Sequence, residues 1–376
     1  MSVTFPHELL EGYLGATDSQ VGVHTNSGLT WKECLNRLPA GDRFCIGLRG
    51  QSQMNCGAGV LHRESGLLGN METILNSMER HPIKLILVPF PEGDIAETPI
   101  SIWAPRWIYT AEETSVDSHP AELGATLVHD FDLSEWKRRV AIVQQSVEKA
   151  VLSRTSQFEL NLSPIEVAEQ MFSIEPNGYR VLIETGMDQG LISVSPERLL
   201  RIHGNQIETE AIAGTQILAD ADELLGSPKN RIEHEYVRDW IRLNLEKLGL
   251  KPTLAATELQ RLSQVAHLKT SILADQTNVG IGALVQALFP TPAVAGVPQS
   301  DAIRLINELE NSRGLYSGLL GFVTPEFSEF IVLIRYCEWQ GRYGSVRSGA
   351  GIVHDSDPES EWAELNQKLK IFGEAR

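Results

Sequence analysis

The chain has 376 residues, room for one large domain or two ordinary ones, and its 42% hydrophobic and 22% charged residues are those of a soluble globular protein. A net charge of −17 and a pI near 5.1 leave no basic excess to meet phosphates, which argues against a nucleic-acid binder but not against a small anionic substrate held by a few local cations. Cys34, Cys45, Cys56 and Cys337 form no CxxC pair, the start of the chain carries His7, Glu8 and Glu11 instead of a signal-like apolar run, and no segment reaches the ~18 apolar residues of a membrane span, so a cytoplasmic protein with free thiols and no membrane partner is expected.

Up to about residue 130 the chain reads as mixed strands and helices with few chemical landmarks. Residues 44–48 and 84–90 are apolar enough for buried strands, and 71–78 fits a helix between them. Residues 101–105 and 107–109 read as edge strands, and 115–124, with Asp117, His119 and Pro120, as a loop. From Ser134 the pattern sharpens. Ser134 caps a predicted helix with Trp136, Val140, Val143 and Val147 on one stripe. Residues 149–154 leave it as a strand, with Lys149 at a junction where a solvent-facing residue is the commoner case. Residues 164–172 make another short helix.

Strands follow at 181–184, 191–194, 199–202 and 206–210. Ser195-Pro196-Glu197 interrupts two apolar runs and puts Glu197 on a bend, either at the rim or inside. Inside, desolvation raises a carboxyl pKa and makes it a proton donor near neutral pH. Ala213-Gly214-Thr215 reads as a small-residue turn. Ser227-Pro228 opens a helix through Ile232, Tyr236, Leu245 and Leu248. Glu233-His234-Glu235 lies in its first turns, where acidic residues are welcome with or without a metal. Residues 265–268 predict a short strand, 280–288 a helix, and 289–298 a proline-punctuated loop. Residues 315–323 and 330–335 are strands. Arg335 ends a strongly apolar run and so needs an anion, either a substrate carboxylate or a structural Glu.

The richest stretch closes the chain. Arg347-Ser348-Gly349-Ala350-Gly351-Ile352-Val353 starts as a strand and turns at Gly-Ala-Gly, exposing backbone N–H groups to a close anion. Ser356 or Asp357 then caps a helix with Pro358 at its first position and Trp362, Leu365, Leu369 and Phe372 as its apolar stripe. Glu361, Glu364 and Lys368 share one face at i, i+3 and i+7. They read either as ligands of a hard cation such as Mg²⁺ or as a solvated face with an ordinary Glu364–Lys368 pair.

Together these blocks resemble the chorismate-utilising enzymes, the family of isochorismate and salicylate synthases and of the large subunits of anthranilate and aminodeoxychorismate synthase. The likeness is carried by KAVLSR (149–154), SPERL (195–199), AGT (213–215), KNRIEH (229–234), His267-Leu268, SRGLYSGLLG (312–321), Ile334-Arg335, GAGIV (349–353) and the terminal EWAELNQKL, over roughly residues 133–373. It implies an α/β (α+β) fold, a single large domain of two packed antiparallel-rich sheets with outer helices. Residues 1–130 would be the variable part of the scaffold and 131–376 the chorismate-binding catalytic region. The resemblance further implies chorismate as substrate and a required Mg²⁺ held by Glu233 and Glu364, with Glu361 acting directly or through water. Gly214, Thr215 and Gly349 would contact substrate carboxylates and Arg335 the enolpyruvyl carboxylate. Lys368 would add positive charge, and His267 belongs to the same substrate-binding set. Gln216 stands where the family often has Arg, Leu365 stands where Thr is common, and 216–229 is shorter than usual.

Lys149 chooses the branch. Ammonia-using members typically carry Gln there, whereas isochorismate and salicylate synthases carry Lys. Water is a weak nucleophile and needs a base, so Lys149 is expected to activate water for attack at ring C2 while Glu197 protonates the departing C4 hydroxyl. The loop Thr291-Pro292-Ala293-Val294 also resembles the isochorismate branch. The expectation is a monomeric isochorismate synthase. A salicylate synthase and a catalytically silent chorismate-binding subunit are the alternatives.

Overall fold

In the computed structural model, which describes residues 22–24, 29–112, 125–129, 132–263, 265–275 and 278–369, alternate residues of the same strands serve different cores. Leu85 and Leu87 join Phe44, Ile46, Val181, Ile183, Leu320 and Ile331 in a core built from strands. Their neighbours Ile86 and Val88 join Phe330 and Val332 in a second core with the helix residues Val237, Ile241 and Leu284. Cys45 and Leu182, from the same strands as Phe44 and Val181, join the helix residues Leu35, Val167 and Met171 in a third. The strand period of two thus divides each strand between a sheet-to-sheet face and a sheet-to-helix face. The strands are joined by hydrogen bonds into one large, mostly antiparallel sheet instead of the two separate sheets expected, and its layers face one another with helices on the outer sides, within the α/β single domain the resemblance implied.

Strands from both ends of the chain interleave. Arg43–Gly47 pairs with Tyr179–Gly186, and Lys84–Val88 lies between Pro99–Glu112 and Leu319–Val323. The ladders are antiparallel except where Gly22–His24 runs parallel to residues 107–109, with one parallel bridge from Thr30 to Glu112. Lys149–Leu160 pairs along its whole length with Tyr343–Val353, setting Lys149 opposite Val353. A fourth core covers these two strands, where Trp136, Val140, Ile303, Ile306 and Leu365 pack on Ala150, Leu152, Ala350 and Ile352.

Several sequence expectations change. Residues 101–109 belong to one strand, Pro99–Glu112, which pairs with Gln53–Leu67 on one side and Lys84–Val88 on the other, so it is interior and not an edge. Pro105 is accommodated where that ladder shifts register between Val60 and His62. Asp132, not Ser134, caps the helix Leu133–Ser146, accepting the Ser134 N–H at 2.9 Å. The short strand at 265–268 continues to Asp275 because Lys269, Thr270 and Ser271 keep their ladder to Gln206–Ile217. The strand expected from 315 begins at Leu319. The loop at 115–124 and Phe372 lie outside the described residues. Among the described residues, no helix is long and apolar enough to cross a membrane.

Trp136 locks the helix Leu133–Ser146 to the C-terminal helix Pro358–Leu369. Its ring is fully buried, lies 6.1 Å from that of Trp362, and donates its indole N–H to the Pro358 carbonyl at 3.0 Å. Trp136→Ala is expected to cost about 3–5 kcal/mol of stability in urea unfolding; a loss well under 1 kcal/mol would show that the contact does not hold the two helices.

Candidate active site

A cavity opens where the strand Tyr343–Val353 leaves its partner Tyr336–Gln340. That ladder ends at Arg347, while the ladder to Lys149–Leu160 runs on to Val353. Glu197, Thr215, Glu233, His267, Arg335, Gly349, Glu364 and Lys368 all line the cavity. Lys149 reaches it through Glu233. The lysine is wholly buried, and its Nζ stands 3.0 Å from Glu233 Oε1, an ion-pair distance without hydrogen-bond geometry.

The Gly-Ala-Gly segment is not a turn. It lies inside the strand, where Arg347, Gly349 and Gly351 line the cavity while Ala350 and Ile352 face the helix core. What the glycines supply is room. A Cβ on Gly351 would stand 2.2 Å from Glu233 Oε1, and one on Gly349 2.7 Å from the Tyr316 hydroxyl. Ala213-Gly214-Thr215 is likewise a bulge within Gln206–Ile217 and not a turn, with Gly214 at φ +72° and no space for a Cβ beside the Asn230 carbonyl.

Glu197 is inside. It follows the strand Gln189–Ser195, and its N–H donates to Ser195 Oγ at 3.1 Å. Burial first, then the Glu210 carboxylate, push its pKa up to about 8 against the opposing pull of Lys149 and Lys368. Its carboxyl therefore keeps its proton at neutral pH, the state a general acid requires.

Two helices bring the other carboxylates. Ser227 caps Pro228–Lys247, which buries Glu233 and His234 on one face. Asp357 accepts the Ser360 N–H at 2.8 Å at the head of Pro358–Leu369. Lys368 Nζ lies 2.6 Å from Glu364 Oε1 and donates to the Gly349 carbonyl at 2.7 Å. With side chains 14% and 17% exposed, that pair belongs to the cavity wall and not to a solvated face. Glu361 pairs with Lys229 and does not line the cavity. Burial, with the nearby Glu364 and Glu233 carboxylates, pushes its pKa up to about 7.

The neighbouring carboxylates Glu233, Glu361 and Glu364 are donors of the kind a hard cation takes, each met in this structure by a lysine that stands in for positive charge. Among the described residues no three His, Cys, Asp or Glu side chains form a closed metal cage. Glu233 and Glu364 both line the cavity, and one or two carboxylates completed by substrate oxygens and water is how Mg²⁺ is usually held.

The opposite charge is also present. Arg335 is buried at φ +51°, with Nη2 unpartnered and no carboxylate at ion-pair distance among the described residues. Burial lowers its pKa. Ser317, at φ +60°, and Ser348 also have buried hydroxyls without partners. Such donors around one cavity fit a carboxylate ligand, and left-handed non-glycine residues collect where a site holds them. His267 Nδ1 lies 3.1 Å from Thr215 Oγ1; burial, then Lys368 and Arg335, hold its pKa well below the usual value, so the imidazole is neutral. Tyr316, Ser317, Arg347 and Ser348 escaped the sequence reading. The alternation through Gly349 and Gly351 points to Arg347, but nothing local marks Ser317.

A sequence model of the family described as chorismate binding enzyme matches residues 104–374. The chain is 34% identical over 261 residues to the isochorismate synthase MenF of Pasteurella multocida (strain Pm70), covering 63% of this chain and 60% of that protein. It is 32% identical over 288 residues to anthranilate synthase component 1 of Saccharolobus solfataricus, covering 70% and 68%. The match spans about three fifths of the length of the first of these relatives. In fold the chain is similar to MenF, the menaquinone-specific isochorismate synthase from Escherichia coli, with a TM-score of 0.74, 22% identity and 89% of both chains covered. It is also similar to DhbC from Bacillus anthracis, with a TM-score of 0.80, 21% identity and 91% and 98% covered.

A buried acid with a raised pKa links stability to pH. The folded chain holds the Glu197 proton up to about pH 8, whereas the unfolded chain releases it near 4.5. The stability due to that proton is full below the lower value and lost as pH rises through the higher one. Glu197→Gln is therefore expected to gain stability relative to the parent as pH rises across this window. Melting temperatures of the two proteins, compared at both ends of it, check this; a constant gap would show that Glu197 is not buried in its protonated form.

Proposed function

Because the chain belongs to the family of chorismate-binding enzymes, we propose that it is an isochorismate synthase, isomerising chorismate by adding water at ring C2 and expelling the C4 hydroxyl. The observation that carries this reading is one cavity lined by the buried Glu197 and by Glu233, whose ion-pair partner at 3.0 Å is the wholly buried Lys149. In its neutral amine form Lys149 takes a proton from water as the water oxygen bonds to C2, and the ammonium so formed is the one Glu233 pairs with. The ring double bonds shift, the C4–O bond breaks, and Glu197 gives its proton to the departing hydroxyl. One water enters and one leaves, so the product is an isomer.

Arg335 receives the enolpyruvyl carboxylate, with Thr215 and Gly349 along the rest of the substrate and the neutral His267 orienting Thr215, while Gly214, which does not line the cavity, shapes the bulge that presents Thr215. Glu233 and Glu364 are the residues that would hold Mg²⁺, which when bound supplies positive charge against that building up on the ring carboxylate. Lys368 holds Glu364 in place from the Gly349 carbonyl. The named relatives include water-using and ammonia-using synthases at similar identity. The choice of branch rests on Lys149, since ammonia needs no base, and on the loop 291–294.

Incubation with chorismate and Mg²⁺, with and without ammonium, is expected to yield isochorismate alone and to stop on chelation. Accumulated salicylate would move the assignment to the pyruvate-eliminating synthases, anthranilate to the aminating ones, and no turnover to a silent subunit. Lys149→Ala and Glu197→Gln are each expected to lower kcat by about 10²–10⁴-fold with circular dichroism unchanged; near-parental rates in either would reject that residue's role.

A further inference from the structure

An ion pair outside the cavity lining grips the chain on both sides of Glu197. Arg49, just beyond the strand Arg43–Gly47, meets Glu210 with both guanidinium nitrogens, at 2.7 and 2.6 Å. The same Arg49 Nη1 donates to the Pro196 carbonyl at 3.0 Å. Glu210 Oε1 in turn accepts the Arg198 N–H at 3.1 Å. One partner thus holds the residue before Glu197 and the other the residue after it. Glu210 is buried, its side chain 1% exposed, and Lys269 Nζ lies a further 3.8 Å from Glu210 Oε2. A two-point fork between guanidinium and carboxylate is directional.

We propose that the Arg49–Glu210 pair is a positioning device for Glu197, fixing the bend that carries it and setting the Glu210 carboxylate beside that bend. The proposal rests on the reading of Glu197 as general acid. The charged groups that act on the Glu197 carboxyl come from three elements. Glu210, on Gln206–Ile217, repels its ionised form, whereas Lys149, on Lys149–Leu160, and Lys368, on Pro358–Leu369, attract it. The Thr291 hydroxyl, from the proline-rich loop, also favours the ionised form. Glu233, Glu364, His267 and Arg335 share the cavity. Of these, Glu210 is the group that works in the direction a proton donor needs, after burial itself.

Glu210→Gln keeps the shape and an acceptor for the Arg198 N–H but removes the charge. The double variant Arg49→Met/Glu210→Gln removes both charges together and leaves no unpaired buried ion, which protects the fold. Two readouts separate positioning from mere support. The first is the pH dependence of kcat/KM with chorismate and Mg²⁺. Its basic limb is expected to move to lower pH in both variants, with kcat down on the order of tenfold to a hundredfold from displacement of the acid. The second needs no turnover. In protein labelled with ¹³C at glutamate carboxyls, the signal lost in Glu197→Gln identifies Glu197, and its titration midpoint is expected to fall in Glu210→Gln and to fall less in the double variant. An unmoved midpoint overturns the proposal, whatever happens to the rate. Parental protein that consumes no chorismate while the midpoint still shifts would refute the proposed reaction and leave the device standing.

Discussion

A buried ammonium must have an anion, and Lys149 has Glu233 at 3.0 Å. That pair constrains the architecture around it, because breaking a buried ion pair by removing one partner leaves an uncompensated charge costing about 3–5 kcal/mol. To bring the two groups together, the first residue of a strand must meet the second turn of a helix more than eighty positions later in the chain. The strand Tyr343–Val353 must also pass close enough that only hydrogen fits at position 351. Two further lysine–carboxylate pairs, Lys229–Glu361 and Lys368–Glu364, stand in the same neighbourhood. The arrangement is costly to bury unless something uses it, which is why charge density of this kind is a better pointer to chemistry than any one of the pairs.

Much of this was legible in the sequence, and what was not has a common cause. Helix starts were readable where a proline follows a cap, as at Ser227-Pro228, because capping is local chemistry. The site carboxylates were readable through ordered motifs. The glycine segments were misread as turns because glycine signals both conformational freedom and absence of bulk. Only the neighbours of Gly351, two of which are Glu233 and Lys149, distinguish the two. Gln53–Leu67 went unread because its Gly57, Gly59, His62, Arg63 and Glu64 break the apolar alternation; its place is set by the ladder to Pro99–Glu112. Arg49 and Glu210 were invisible as a pair for the same reason, being joined only by the fold.

Two chemistries are balanced across the cavity. Acidic side chains gather at the helix ends Pro228–Lys247 and Pro358–Leu369, and basic or hydroxylic donors gather where Arg335, Ser317 and Ser348 lie. Under the proposed function, a substrate with two carboxylates would answer the basic half, and the Mg²⁺ that Glu233 and Glu364 would hold would answer the acidic one. A ligand of uniform charge would leave one half unsatisfied. The polarity of the cavity therefore limits the class of substrate more tightly than its outline does.

The interleaving of strands from the two ends of the chain bears on how the protein is made. Ile86 and Gly321 are register partners, and Phe44 pairs with Ile183. A nascent chain thus presents its early apolar strands long before the segments that complete their ladders leave the ribosome. During that interval the Lys84–Val88 edge is open to pairing with any neighbouring polypeptide. Contacts so distant along the chain also close slowly. Completion of the Lys84–Val88 ladder accordingly waits on translation of Leu319–Val323, more than two hundred residues later.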